Sequence, residues 1–565
     1  MGSLVDQWGG PMKASAQTTA YAAADRFSQE LSSWSPSLRG PDSEWLPERD
    51  TVTARVHDIA RNNGWASGAL QRYIDQAIGA EFRLLYRPDA AALGVSPEWA
   101  RDFAREVEHR FRLWAEDPRF PVDAGRRLTL SALLGLLFRH RLADGEALAV
   151  AHWLPRPDSS YATAIQVIDP DRLSTPAGMI DGPVLRGGIE MDGFGAPLAF
   201  HIRGAHPGDA YAGAEEVMRW QRIPRSTPWG RMRVLHFFEP ERAGQTRGKS
   251  LLAPVLEKLK MEDRYGRIEL QAALVNAIFA AFIESPFDQG LMEDLLAKEG
   301  RPNPTAADHL NVYQRERGHF HKKRNPTLDG VQIHSLFPGE KFNFAAATRP
   351  NQAFAEFERS VLRYIAAGIG QSYEQLAQDW SQTNYSSARA ALLESWKFLV
   401  ARRQHFAAAV ARPIFALWLE EEFDRGEIDL PRNAPGFWEA FPAWTRCRWI
   451  GPGRGWVDPV KEADAAGKRM DYQLSTQMDE CAEQGRDFEE VLEQQSYERA
   501  LRASYGLPEP TSPGVTEDMG NTDPDEEDEE GAPTRQGRDV GSRLTNYETR
   551  MADLQRRALA RPRSM

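Results

Sequence analysis

Cysteine is nearly absent from this chain of 565 residues: only Cys447 and Cys481 occur. Neither stands at a metal-ligand spacing, and two thiols make no disulfide framework, so a reducing compartment is expected. The opening residues, MGSLVDQWGG, lack the basic and apolar stretches of a secretory leader. Asp6 stands where N-myristoylation would need Ser or Thr. Long hydrophobic runs are lacking as well. The longest, AALVNAIFAAFI (272–283), is interrupted by Asn276 and is too short to cross a bilayer. A soluble protein without a membrane partner is therefore expected. Positive charge is in deficit, with 69 Lys and Arg against 81 Asp and Glu and a net charge of −12. That balance argues against a protein that grips nucleic acid over its whole surface, but leaves open one that DNA slides past. No G-x-S-x-G elbow, cysteine-nucleophile motif or carboxylate pair suited to acid–base work is present.

What the chain does have is 41% apolar residues, enough for a substantial core, and a length that suggests about three domains. Residues 1–50, rich in Ser, Ala, Pro and Gly, read as a flexible arm. From 51 to 89 the apolar residues Val56, Ile59, Leu70, Tyr73, Ile74 and Ile78 recur at helical spacing, broken by Asn62-Asn63-Gly64. Further helices are predicted at 97–118 and 129–143. Residues 144–238 read as β: EALAVAHWL, AIQVIDP, VLRGGIEM and PLAFHIRG are short β-type runs, with Asp192-Gly193 as a hairpin loop. A long helix is predicted over 249–284, then a Pro-rich, charged stretch to 330, a β-like stretch at 331–348, and a helix at 352–370. A second long helix, 386–423, should kink at Pro413. The loop WIGPGRGWVDPVKEADA (449–465) leads into helices to about 505. The acidic run DPDEEDEE (523–530) predicts disorder, and the basic end RLTNYETRMADLQRRALARPRSM is a weak helix candidate.

AGQTRGKS (243–250) resembles a phosphate loop in outline, with Gly248-Lys249-Ser250 at its end. Ala243 replaces the first glycine, however, and no β-type run capped by an acid follows to hold Mg²⁺. The alternative is a loop that caps the long helix, with Ser250 near its N-terminus. His319 and His321 beside Lys322, Lys323 and Arg324 lack further ligands at a motif spacing, and the cations disfavour a metal; an exposed loop that meets an acidic partner or DNA is the alternative. Lys258, Lys260, Arg264 and Arg267 on the long helix alternate with Glu257, Glu262, Asp263 and Glu269. They make either a salt-bridged solvated face or the lining of a water-filled passage. AQDWSQTNYSSAR (377–389) is either a plain helix connection, with Ser386 or Ser387 as N-cap, or a loop that projects into a cavity.

RNNGWASGALQRYIDQAIG, VLRGGIEMDGFGAPLAFHI, RVLHFFEPERAGQTRGKSLLAPVLEKL, TNYSSARAALLESWKFLVARR and WIGPGRGWVDPVKEADA appear in that order. Together, over roughly 50–505, they resemble the lambda-type portal proteins of tailed bacteriophages. The resemblance implies an α+β, mostly helical, elongated subunit, and a ring of twelve about a channel for double-stranded DNA. It implies no enzyme activity and no cofactor or metal. Its implied partners are the terminase large subunit, head–tail adaptor proteins, and the major capsid protein with its scaffold; its place is the virion, after assembly in the host cytoplasm. Segment by segment, 51–250 would be a wing with a β-rich part, 251–284 the first stem helix, 285–345 the clip and 352–370 the second stem helix. Residues 377–388 would be a tunnel loop, 388–448 the long wing helix with the segment after it, 449–508 the crown, and 509–565 an acidic tail. Gln382, Asn384 and Tyr385 would approach DNA, with Arg389 beside them or anchoring the loop. Lys258, Lys260, Arg264 and Arg267 would line the channel, and His319, His321, Lys322, Lys323 and Arg324 would meet a clip partner.

Overall fold

The computed structural model describes residues 21–25, 30–279, 315, 319, 327–328, 331–332, 354–381, 385–431, 433–455 and 458–508. The chain divides into two compact units, Met1–Glu493 and Gln494–Met565. In the second, the described residues hold the end of a helix, where Arg502 Nε and Nη2 donate to the Pro508 carbonyl at 3.2 and 2.9 Å.

The first helix, α1, spans Pro41–Asn62, ten residues ahead of the expected start. Pro41 supplies a preset φ at the first helical position, and Asp42 and Glu44 complement the first-turn dipole, so the Pro- and Ser-rich composition concealed a true helix start. Thr53, Val56, Ile59 and Ala60 form its buried stripe. Asn63 ends α1 and caps α2 (Gly64–Ala77), its Oδ1 accepting from Ala66 N at 3.0 Å. The helical reading of 51–89 needs correcting at its end. The chain turns at Gly79 (φ +68°), and Arg83–Tyr86 is a strand, β1. α3 (Pro97–Ala115) and α4 (Leu130–Ala143) start at the side-chain caps Ser96 and Thr129.

β2 (Glu146–Trp153) lies between β3 (Thr163–Ile168) and a later strand, β8 (Val234–Phe238), in an antiparallel sheet of order β3-β2-β8. β4 (Leu185–Arg186), β5 (Ile189–Met191), β6 (Pro197–Arg203) and β7 (Trp220–Pro224) form a second antiparallel sheet in sequence order. The expected loop at Asp192-Gly193 joins β5 to β6, and Asp192 Oδ1 accepts from Phe194 N and Ala196 N, both at 2.8 Å. β2 is buried on both faces. Ala147, Ala149 and Ala151 belong to the helical core, whereas Leu148 and Val150 join Phe200, Ile202 and Val234 in a second core between the sheets. The period-two alternation of a strand divides its side chains in that way.

The long helix expected from 249 begins as a 3₁₀ turn at Ala253–Val255 and becomes α5 at Leu256–Phe279. Ser250 therefore caps the preceding turn, not the helix: its Oγ accepts from Leu252 N at 3.1 Å. A two-residue hairpin, β9 (Thr327–Leu328) with β10 (Val331–Gln332), is described within 285–345. α6 (Phe354–Ile369) and the short α7 (Tyr373–Ala377) follow. α8 (Tyr385–Phe406) includes Ser386 and Ser387 in its first turn, so neither is the N-cap expected of it. At Ala407–Ala411 the helix widens into a π turn before α9 (Arg412–Arg425). Pro413 has no amide hydrogen to continue the α register, and at the expected kink the helix shows this π turn. The strand β11 (Cys447–Ile450) pairs antiparallel with β1, Arg83 opposite Ile450, which places 449–450 in a sheet with the N-terminal part rather than in a separate crown loop. α10 (Pro459–Asp471), α11 (Gln477–Glu483) and α12 (Phe488–Ser504) complete the described chain.

α3 and α9 meet through aromatic rings. Phe111 lies 5.1 Å from Trp418 and 5.4 Å from Phe415 between ring centres, and Trp114, Trp418 and Trp444 are each at most 2% exposed. Each such ring contributes about 1.5–3 kcal/mol through burial. Leu259 of α5, Leu362 and Ile365 of α6, and Leu399 and Phe406 of α8 join the same core.

Candidate functional site

The segment that resembled a phosphate loop joins β8 to α5, and its groups are already engaged. Gly248 N, which would face a phosphate, donates to Glu146 Oε2 at 3.2 Å. Lys249 Nζ sits 2.6 Å from Glu241 Oε2. Gly248 and Gly145 pack backbone against backbone: a Cβ on Gly248 would fall 2.1 Å from the Gly145 carbonyl oxygen, and one on Gly145 (φ +89°) 2.3 Å from Lys249. The glycine serves this close approach, not a ligand.

Arg247 is the residue that fixes the joint. Its Nε donates to both Glu146 oxygens at 2.8 and 2.9 Å, its Nη1 to Leu173 O and Gly187 O at 2.6 and 2.8 Å, and its Nη2 to Pro170 O at 2.9 Å. Arg49 of α1 reaches Glu146 Oε1 at 3.1 Å, and His236 of β8 reaches Oε2 at 2.8 Å. The Glu146 side chain is fully buried, and Arg247 and Arg49 nearly so. Burial alone would push the Glu146 carboxyl up; Arg247, then His236 and Arg49, overrule it and hold it well below the usual carboxylate range. Burial, and next Arg49, pull the Arg247 guanidinium below its ordinary value. Two residues before Glu146, Asp144 bridges two histidines, with Oδ1 at 2.5 Å from His57 Nε2 and Oδ2 at 2.6 Å from His140 Nδ1. The hydrogen bond to Asp144 raises the His57 pKa against the effect of burial. Sequence reasoning missed this network because its members lie on different elements: Glu146 and Arg247 are 101 residues apart, and no local motif pairs them.

α5 and α6 lean on each other through Tyr265, whose ring centre is 5.5 Å from Phe354 and 5.0 Å from Phe357, and Gly368 of α6 packs against Val255 in the 3₁₀ turn before α5. The four candidate lining residues are all exposed. Lys260, Arg264 and Arg267, spaced by four and three, share one helix face; Lys258 lies off it. Lys260 Nζ is 3.6 Å from Asp58 Oδ2, and Arg267 Nη2 is 2.9 Å from Asp263 Oδ2. Among the described residues, neither Lys258 nor Arg264 pairs with an acid. The same two helices expose large apolar side chains: Met261, Leu270 and Leu274 at 55, 63 and 56%, and Phe357 and Tyr364 at 51 and 56%.

The connection after α6 is pinned from below. Gly370 (φ +77°) turns the chain against Phe398 of α8, Arg72 Nη2 donates to Leu376 O at 2.8 Å, and the Tyr73 hydroxyl donates to Ile369 O. α7 is held by a capping box: Ser372 Oγ accepts from Gln375 N at 3.3 Å and Gln375 Oε1 from Ser372 N at 3.2 Å. Gln378 (φ +54°) ends it, and Asp379 accepts from Tyr373 and Ser381 at 3.2 and 2.6 Å. Gln382 and Asn384 lie outside the described residues. Tyr385 opens α8. Arg389 is half-buried and lines a cleft of about 90 Å³ with Gln76, Gln375 and Arg454. Of the histidine cluster, His319 is helical and exposed; His321, Lys322, Lys323 and Arg324 lie outside the described residues. Elsewhere, Asp169, Asp171 and His206 bring possible ligand atoms within 4.8 Å of one another, but Asp171 Oδ1 is 3.4 Å from Arg49 Nη2.

Comparison with known proteins gives a direct result. Residues 27–403 match the family model for phage portal proteins of the lambda family. The chain is 35% identical over 508 residues to the portal protein of Escherichia phage N15, covering 90% of this chain and 94% of that protein. It is 36% identical over 486 residues to portal protein B of Escherichia phage lambda, covering 86% of this chain and 90% of that protein. Among solved structures, a chain from the neck of an empty gene transfer agent particle overlaps 66% of this chain and 86% of its own length at 14% identity and a TM-score of 0.37.

Proposed function

The chain belongs to the lambda family of phage portal proteins, and from that premise we propose that twelve copies form a ring around a channel at one capsid vertex. Portal function is common to its relatives, and its place is the virion. Through the channel a terminase motor drives double-stranded DNA inward during assembly in the host cytoplasm, and the DNA later leaves by the same route. The ring is the platform on which terminase and then head–tail adaptors dock, with capsid protein and scaffold around it. The observation that carries this reading is the identity to two portal proteins over nearly the full length of each chain.

The geometry fits the role. α5 and α6 expose apolar side chains that no described element covers, as expected of helices that pack against copies of themselves. A conduit must not clutch the duplex, because every bound phosphate is a barrier to sliding. An acidic subunit with a few basic rings meets that need, since symmetry multiplies each cation around the axis. Lys258, Lys260, Arg264 and Arg267 are assigned to that lining, with Lys260 and Arg267 also engaged by acids. Residues 377–388, of which the last four form the first turn of α8 and not loop, are assigned to the segment that reaches DNA through Gln382, Asn384 and Tyr385, with Arg389 as its anchor against the cleft below. The clip carries His319, His321, Lys322, Lys323 and Arg324 towards the motor. No nucleotide chemistry is assigned to 243–250, whose Lys249 and Gly248 amide are engaged by carboxylates.

Native mass spectrometry tests the assembly: a dodecamer of the 63.5 kDa chain supports it, and a strictly monomeric species contradicts it. Truncating 380–386 tests the loop. Rings should still form, but packaged particles should lose DNA or stop short; normal retention of full-length genomes removes the loop assignment.

A further inference from the structure

The π turn between α8 and α9 forms part of the wall of an open cavity of about 540 Å³, bordered also by β11, the 451–454 turn and the end of α11. Four arginines line it: Arg403, Arg412, Arg448 and Arg454. Two are neutralised. Arg448 Nη1 lies 3.2 Å from Asp479 Oδ1, and Arg454 Nη2 lies 3.1 Å from Glu462 Oε2. The other two have no carboxylate partner among the described residues. Arg403 is only 9% exposed, yet its Nη2 donates to backbone carbonyls alone, Gln76 O at 2.5 Å and Pro452 O at 2.9 Å, while its guanidinium stacks 5.0 Å from the Trp396 ring centre. Arg412 Nη2 donates to Thr445 Oγ1 at 3.2 Å and Pro442 O at 3.4 Å. The cavity holds one acid of its own, Glu483.

A buried guanidinium bonded only to carbonyls is an expensive arrangement in a folded chain, because its charge has left water without a counter-ion. Burial pushes the Arg403 pKa down to about 10, which still leaves it charged at neutral pH. The helical ladder is also distorted at this place, where Ala407 and Ala408 face the cavity, and π turns recur at binding sites. We propose that this cavity binds a phosphate group, with Arg403 and Arg412 as its cationic recognition elements and Gln404 at its rim. A guanidinium fork matches the geometry of a phosphate oxyanion, and the volume leaves room for a sugar or water beside it. The phosphate belongs either to free inorganic phosphate or to a nucleic-acid strand. The site depends on neither ring formation nor the loop assignment.

The full-length assembly is titrated calorimetrically at constant ionic strength with sodium phosphate and, separately, with a 5′-phosphorylated dinucleotide and with tetraglutamate. Saturable binding of a phosphate-bearing probe at one site per chain is expected. Tighter binding of the dinucleotide assigns the site to nucleic acid, and equal binding to free phosphate; either supports the proposal. Gln404→Glu adds a carboxylate at the rim in nearly the same volume and should weaken binding by roughly tenfold or more, while the thermal midpoint in phosphate-free buffer holds or rises, because the new charge offsets the unpaired guanidinium. Arg412→Gln should weaken binding to a similar degree. Absence of saturable binding by both phosphate probes overturns the proposal, as does equal binding by both variants and the parent, or binding of tetraglutamate alone.

Discussion

Substituting Glu146→Gln removes one charge at the joint between β8 and α5 and changes almost no volume. Arg247 then loses its carboxylate while remaining almost wholly buried, and Arg49 loses its main partner. Breaking a buried pair from one side costs about 3–5 kcal/mol, most of it the desolvation of the stranded charge. Arg247→Met should cost about as much, since it leaves fully buried Glu146 with only Arg49 and His236 and takes the guanidinium donor from the Leu173 and Gly187 carbonyls. The double variant E146Q/R247M should cost less than the sum of the two, because the same interaction is lost only once. An assembly of this size is expected to unfold irreversibly, so the readout is hydrogen exchange of α1, β8 and 246–252, together with a thermal midpoint at fixed scan rate. Protection in those segments should fall by about two to four orders of magnitude in each single variant. The pH dependence has a definite sign. The Glu146 carboxyl is held below its ordinary value of 4.5, so its contribution is present above that pH and drains as pH falls toward the folded value. E146Q should flatten that acid-side loss. Single variants that each cost under about 1 kcal/mol, or strictly additive effects, would refute the reasoning.

Other outcomes rest on the same structure. The His57 pKa is raised above 6.5 by Asp144, so its stabilisation is full below pH 6.5 and is lost as pH rises through the folded value; Asp144→Asn should abolish that alkaline-side decline in a pH series of thermal midpoints. Gly145→Ala combines a positive φ with a Cβ 2.3 Å from Lys249 and should leave little soluble protein on expression. Phe111→Ala opens the aromatic core between α3 and α9 and should cost about 3–5 kcal/mol, read as reduced exchange protection in both helices. Lys249→Ala removes only a pair with Glu241, itself 59% exposed, and should change stability by less than about 0.5 kcal/mol and leave any ATP turnover in the preparation unchanged.

Local signals in the sequence located most of the helices and strands. Side-chain caps, the Asp192-Gly193 loop and helical apolar spacing act over a few residues, and α2, α3, α4, α6 and the β5–β6 hairpin obey them. The misreadings have non-local causes. Arg83–Tyr86 has an apolar run that continues the helical pattern before it, and only Cys447–Ile450, far along the chain, makes it a strand. The Glu146–Arg247–Arg49 network is likewise invisible until folding joins α1, β2 and the 246–248 turn. The phosphate-loop likeness was a coincidence of residue types: Gly248 is needed for backbone contact with Gly145, and Lys249 for a surface pair. At Pro413 the sequence predicted the irregularity but not its form, because whether a helix bends or widens depends on what packs around it.

The channel itself is the central claim, and class-averaged electron micrographs of the purified full-length chain test it most directly. The account predicts end-on views with rotational symmetry and an open centre. Solid particles without a central opening, whatever their mass, would contradict it.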